Sequence, residues 1–121
     1  MGQGGPSLEA ATIARRLVDA LAEKQAEDII LLDISKVASF TDYFVIASAA
    51  NVRQMQALQE AVEQTLGRES VQAMGREGTI DSGWVLVDAG DVIVHLFSPE
   101  ERAYYAIERL WSRGVTVLRM Q

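Results

Sequence analysis

Apolar residues recur along this chain in two rhythms. From Ala10 to Leu21 they fall at three- and four-residue steps (Ala10, Ile13, Ala14, Leu17, Val18, Leu21), which is one stripe on a helix. Ser7 stands ahead of that stripe as an N-cap, Glu9 lies in the first turn, and "AEKQAED" is the polar end. "DIILLDI", residues 28–34, is a short apolar run that reads as a buried strand. "SKVASFTD" is a polar-leaning loop and "YFVIAS" a second strand. The helical rhythm then returns, with Asn51 as the cap, Met55, Leu58, Val62 and Leu66 on the buried side and Gly67 as the stop. "GRESVQAMGREGTIDSG" has no period and predicts no element.

The stretch "WVLVDAGDVIVHLF", Trp84 to Phe97, is strongly β-prone on both sides of Ala89-Gly90 and reads as a hairpin. "SPEE" follows directly. Ser98 as N-cap, Pro99 at the first helical position and Glu101 three residues on form a capping box. The last helix is expected to run to about Arg113 and end at Gly114, with "VTVLRM" able to add a short edge strand. Residues 1–7 read as a flexible leader, 8–113 as one domain and 114–121 as a tail. The order of elements predicts a mixed β-sheet packed with helices, an α/β or α+β domain.

Charge narrows the class of partner. Seventeen acids against eleven bases give a net charge of −6, and the pI is near 4.7. Nucleic-acid binding draws on Lys and Arg neutralising phosphates, and two lysines with no basic run argue against direct reading of DNA or RNA. A basic protein surface suits this field better, because complementary charge raises encounter rates. With no cysteine there is no disulfide, thiolate nucleophile or Cys-based metal site. No apolar run approaches the ~20 residues that span a bilayer, and "MGQGGPSLEA" lacks the order of a signal peptide. A soluble, cytoplasmic protein is expected.

The candidate chemistry is thin. A two-residue Ala89-Gly90 turn makes Asp88 and Asp91 cross-strand neighbours; alternatively Asp88-Ala89-Gly90 is a three-residue loop with Gly90 left-handed. An Asp before a turn serves the turn by accepting a backbone N–H. Two carboxylates also hold divalent ions in polymerase-type enzymes, but that needs a third ligand and a phosphate cradle. His95 is the only histidine, so a zinc site would have to take every other protein ligand from carboxylates, and a general base would lack a partner. "AMGREG" and "DAGD" match neither the dinucleotide fingerprint nor the phosphate-binding loop. "VIASAANVRQ" places a small-residue turn at a helix N-terminus, the geometry that cradles phosphates and also an ordinary strand-to-helix connection. No cofactor or metal is expected.

A surface remains. With the two-residue turn, strand alternation places Trp84, Leu86, Ile93, His95 and Phe97 on one hairpin face, opposite the valines. In the last helix Ala103, Tyr104, Ile107, Leu110 and Trp111 are expected to face the core. Glu101, Tyr105, Glu108 and Ser112 make a separate stripe mixing acid with aromatic. Aromatics near acids, without a catalytic set, suit a site for a basic protein.

"DYFVIAS…RQ" followed by "EG…GWVLVDAGDVIVHLFSPEERAYYAIERLW" closely resembles the ribosomal silencing factor family, also called Iojap-like, from about Leu8 to Trp111. The resemblance implies an α/β fold similar to nucleotidyltransferases but without their catalytic carboxylates. It implies a translation repressor, not an enzyme, that binds large-subunit ribosomal protein fourteen. Bound there it blocks joining of the ribosomal subunits when nutrients are short, and it is a homodimer when free. Of the residues that match the family's pattern, Trp84, Asp88, Asp91, Tyr105 and Glu77 are expected to make contacts; Gly90 serves the turn, Pro99 the helix start and Trp111 the core. The chain departs from the pattern at Ala49 and Asn51, where the family usually has Gly and then Ser, and "VTVLRMQ" extends past the usual ending. A metal-dependent nucleotidyltransferase using Asp88, Asp91 and the Ser48-to-Arg53 turn is the rival reading.

Overall fold

The computed structural model describes residues 8–121; the expected leader and the Ser7 cap lie outside the described residues. Its first helix, α1 (Leu8–Glu23), and its second, α2 (Val52–Arg68), bury the stripes that their apolar spacing predicts. Ala10, Ala14, Leu17, Val18 and Leu21 of α1 are buried, as are Met55, Leu58, Val62 and Leu66 of α2. The Asn51 side chain accepts the Gln54 N–H at 2.8 Å, as expected of the cap. Gly67 is not the stop. It lies within α2, and Ser70 at φ 58° takes the left-handed place beyond the end, with the Val71 N–H donating to the Leu66 carbonyl at 2.8 Å.

The strands are β1 (Glu27–Asp33), β2 (Tyr43–Ser48), β3 (Gly75–Glu77), β4 (Trp84–Asp88), β5 (Val92–Phe97) and β6 (Val115–Met120). They form one mixed sheet in the order β3-β4-β5-β2-β1-β6. Only the central pair, β2 and β5, is parallel, and both strands are buried along their whole length. That is why their sequences are apolar without alternation. β1, β4 and β6 join antiparallel on either side. Two elements come from segments without a clear signal. β3 and a 3₁₀ turn (Ile80–Ser82) arise in the aperiodic stretch before the hairpin. A two-pronged Arg76–Glu63 pair ties β3 to α2 and holds the Glu63 carboxyl below its usual range. β6 lies on the sheet edge.

α1 and α2 cover one face of the sheet, over a core that includes Leu17, Leu58, Val45, Val87 and Val94. The opposite face carries Ile30, Phe44, Ile46, Ile93 and Phe97. It is covered only in part, by Val37 and Ala38 of the loop after β1 and by Ile107 and Trp111. The candidate site stands on this second face.

The last helix departs most from expectation. It is two pieces, α3 (Pro99–Tyr105) and α4 (Ile107–Leu110), broken at Ala106, where φ and ψ are both 47°. The break rotates the stripes. Ala103, Tyr104 and Leu110 are exposed rather than in the core, Ile107 is buried and Trp111 half-buried. Half of the capping box forms. Ser98 Oγ accepts the Glu101 N–H at 3.2 Å, while the Ser98 N–H donates to the Gly83 carbonyl at 2.8 Å.

Candidate protein-binding site

The hairpin of β4 and β5 builds the site. Its register pairs Trp84 with Phe97, Leu86 with His95 and Asp88 with Ile93. The Ala89 N–H donates to the Val92 carbonyl at 2.9 Å, so the turn residues are Gly90 and Asp91, with Gly90 at φ 87°. The expected Ala89-Gly90 turn is therefore wrong by two in register, and Asp88 and Asp91 are not cross-strand neighbours. The faces survive, because strand alternation has a period of two and a slip of two leaves every side chain on its side. Trp84, Leu86, Ile93, His95 and Phe97 do share the face away from α1 and α2.

On that face the rings form a continuous band. Trp84 stacks on Phe97 with centroids 5.0 Å apart and touches Tyr105 at 4.3 Å. Tyr104 meets Tyr105 edge-on at 5.0 Å. Toward β2, His95 packs against Phe44 at 4.5 Å, and Phe44 and Phe40 both lie 5.6 Å from Trp111. Offset and edge-on pairs at these separations hold each other in place. His95 is 5% exposed, and its Nδ1 accepts the Trp84 Nε1 hydrogen at 3.3 Å. Burial pushes the imidazole down to about 3, so the ring stays neutral and orients Trp84.

At its Trp84 end the band reaches solvent. Tyr105 is 41% exposed and Tyr104 79%. Trp84, Leu86 and Tyr105 join Glu77, Gly78 and Ser82 around a cavity of about 180 Å³. Gly78 has to be glycine here: at φ 81°, a Cβ would stand 2.0 Å from the Trp84 carbonyl oxygen. Of the five residues expected to make contacts, the structure thus gathers Trp84, Tyr105 and Glu77 in one place.

Asp88 and Asp91 sit at the other end of the hairpin. Asp88 Oδ1 accepts the Gly90 N–H at 2.9 Å, the turn role open to an Asp there. Asp91 is exposed, and its carbonyl accepts the Asp42 and Tyr43 N–H groups at 3.0 and 3.1 Å. Its carboxylate neighbour is Asp42, whose own carboxyl is pushed up first by burial and then by the charges of Asp91 and Asp33. Among the described residues no group of three or more His, Asp or Glu side chains is placed to hold a metal ion. The turn before α2 is also committed. Gln54 Oε1 accepts the Ala50 N–H at 2.7 Å, Asn51 accepts that of Gln54, and the Ser48 hydroxyl receives a hydrogen bond from Arg102. Donors engaged in this way are not a free phosphate cradle.

Sequence reasoning missed Phe40 and Arg102. Phe40, 56% exposed, extends the ring band from within a polar loop, where an aromatic is out of place and could have been noticed. Arg102 is 7% exposed, and its place on a helix gives no sign of the Asp28 carbonyl and Ser48 hydroxyl that it serves.

Comparison with known proteins agrees with this fold. A family model described as "Ribosomal silencing factor during starvation" matches residues 7–120, so β6 lies within the family's span and not past its end. The ribosomal silencing factor RsfS of Chromobacterium violaceum is 40% identical over 104 residues, covering 86% of this chain and 85% of that protein. The Bacillus subtilis RsfS is 39% identical over 92 residues, with 76% and 78% covered. The crystal structure of protein CV0518 from Chromobacterium violaceum matches with a TM-score of 0.81 at 40% identity, over 84% of this chain and 85% of that one. The chain belongs to the ribosomal silencing factor family.

Proposed function

We propose that this protein represses translation by steric exclusion. It binds the large ribosomal subunit through its ribosomal protein fourteen and occupies space that the small subunit needs. The observation that carries this reading is the tilted Trp84–Tyr105 ring contact beside Glu77, at one exposed end of a ring band on a sheet face that helices cover only in part. Large rings that are already ordered bind at low entropic cost, and acids at the rim suit a basic ribosomal protein. Trp84, Tyr105 and Glu77 form the centre of contact, while Asp88 and Asp91 at the hairpin's far end add negative field. Relatives that carry the name ribosomal silencing factor support the ribosome as the place of action.

On this reading the protein works in the cytoplasm during nutrient limitation as a binding regulator, not an enzyme, with no cofactor. No helix of the described residues is long and apolar enough to cross a membrane. Free in solution it pairs with a second copy, which light scattering over a dilution series would detect. Co-sedimentation with separated ribosomal subunits tests the main claim. The protein should travel with large subunits and not with small ones, and it should slow subunit joining in a light-scattering assay. Trp84→Ala and Tyr105→Ala should each reduce co-sedimentation at least about tenfold, as central aromatic anchors do. Undiminished binding by both variants, or joining at full rate with the protein in excess, refutes the reading.

A further inference from the structure

The break between α3 and α4 has no breaker in the sequence. "PEERAYYAIERL" holds no glycine and no proline after its first residue, and Ala106 is of the type with the highest helix propensity. Yet Ala106 adopts φ 47° and ψ 47°. The left-handed region is strained for a residue with a Cβ, and such strain persists only where surrounding structure imposes it. Arg102 supplies that structure. Its side chain is 8% exposed. Nη1 donates to the Asp28 carbonyl at 2.7 Å and to the Ser48 hydroxyl at 2.8 Å, anchoring α3 to the ends of β1 and β2. Asp28, at φ 49°, stands where β1 carries one residue more than β2, a bulge of the kind that leaves backbone groups unpaired. Nη2 lies 3.6 Å from Asp28 Oδ2, an ionic contact too long for a hydrogen bond. Nε donates to Glu108 Oε2 at 3.2 Å, reaching across the break into α4. The main chain completes the hold, with the Ala106 N–H donating to the Arg102 carbonyl at 2.8 Å.

We infer that Arg102 is a positioning residue for the contact site. By fixing the left-handed break it seats Tyr105, the last residue of α3, on the ring of Trp84. Buried as it is, Arg102 does not meet a partner itself. This inference rests on the reading of Trp84 and Tyr105 as a contact surface, but its geometric half is testable without any ribosome.

The test uses a Trp111→Phe background, in which Trp84 is the one indole left. Arg102→Lys should loosen Tyr105 from Trp84, so that iodide or acrylamide quenches Trp84 about twofold more strongly. The same change should weaken binding to large subunits about tenfold, as sites with a loosened supporting shell do. Adding Ala106→Gly, which makes the left-handed break strain-free, should restore both. Leu58→Ala, which destabilises the opposite face, should alter neither in the folded protein. If Arg102→Lys does not fold, Glu108→Ala, which removes the acceptor across the break, decides by the same two measurements. Quenching and binding within twofold of the parent in the folded variant, or no recovery with Ala106→Gly, overturns the inference. Parent-like binding by Trp84→Ala and Tyr105→Ala would instead sink the contact-site reading, while quenching still judges Arg102.

Discussion

His95 carries the clearest single-residue consequence. Its ring is sealed among Trp84, Phe44 and Phe97, which keeps it neutral down to about pH 3, against an ordinary value of 6.5. The unfolded chain takes up a proton below about 6.5 that the folded one refuses. Its contribution is therefore fully present above pH 6.5 and is lost as pH falls toward 3. The slope is about 1.4 kcal/mol per pH unit within that window. Between pH 6.5 and 4.5 the protein should lose stability in urea more steeply than His95→Gln, in which this position cannot titrate; parallel curves would show that the imidazole is not sealed. Trp84 is half-buried rather than core, so Trp84→Ala should cost about 2 kcal/mol through lost stacking, below the 3–5 of a fully buried ring. Thermal melting should show the variant folded at 25 °C. Much of this is legible in the sequence, since alternation together with a two-residue turn places both side chains on one face. What alternation cannot supply is Arg102, because a charged residue on a helix reads as solvent-facing until the carbonyl and hydroxyl it serves are in place.

At the level of elements, legibility followed the amount of local information. α1 and α2 repeat their apolar residues at helical spacing over several turns, and both formed with the expected faces. The Asn51 cap is local too. Asn51→Ala should cost about 1 kcal/mol, visible as a melting temperature lower by about 4 °C. β3 is three residues long and is held by β4 and by the Arg76–Glu63 pair, all of it tertiary context. Nothing in "MGREG" announces it. The hairpin divides along the same line. Its faces depend on a period of two and were readable, whereas its register depends on which residues close the turn. Thr41 Oγ1 donates to the Gly90 carbonyl at 2.8 Å, and the Asp42 and Tyr43 N–H groups donate to that of Asp91, so a neighbouring strand helps to fix the turn. Gly78→Ala should be severe for a similar reason. Its added carbon meets the Trp84 carbonyl, and denaturant titration should show a loss of more than about 2 kcal/mol.

For the molecule as a whole, shape and charge act together. A net charge of −6 opposes nucleic acid and favours a basic protein partner, so the rate of association with large subunits should fall several-fold as ionic strength rises from low to physiological values. A rate independent of salt, measured by stopped flow, would mean that the acids contribute no steering. Three of the five expected contact residues converge, and two do not. The family resemblance marks positions one by one, while the distance between the ends of a hairpin emerges only once its strands are paired.

The sheet's connectivity has one more consequence. β6 closes against β1, with most of the described chain between them, and β2 pairs in parallel with β5 across α2, β3 and β4. Such distant pairings form slowly. During synthesis β1 must therefore wait, its outer edge bare, until β6 has cleared the exit tunnel. The sheet of this ribosomal silencing factor family member thus stays incomplete for as long as β6 is still inside the ribosome that makes it.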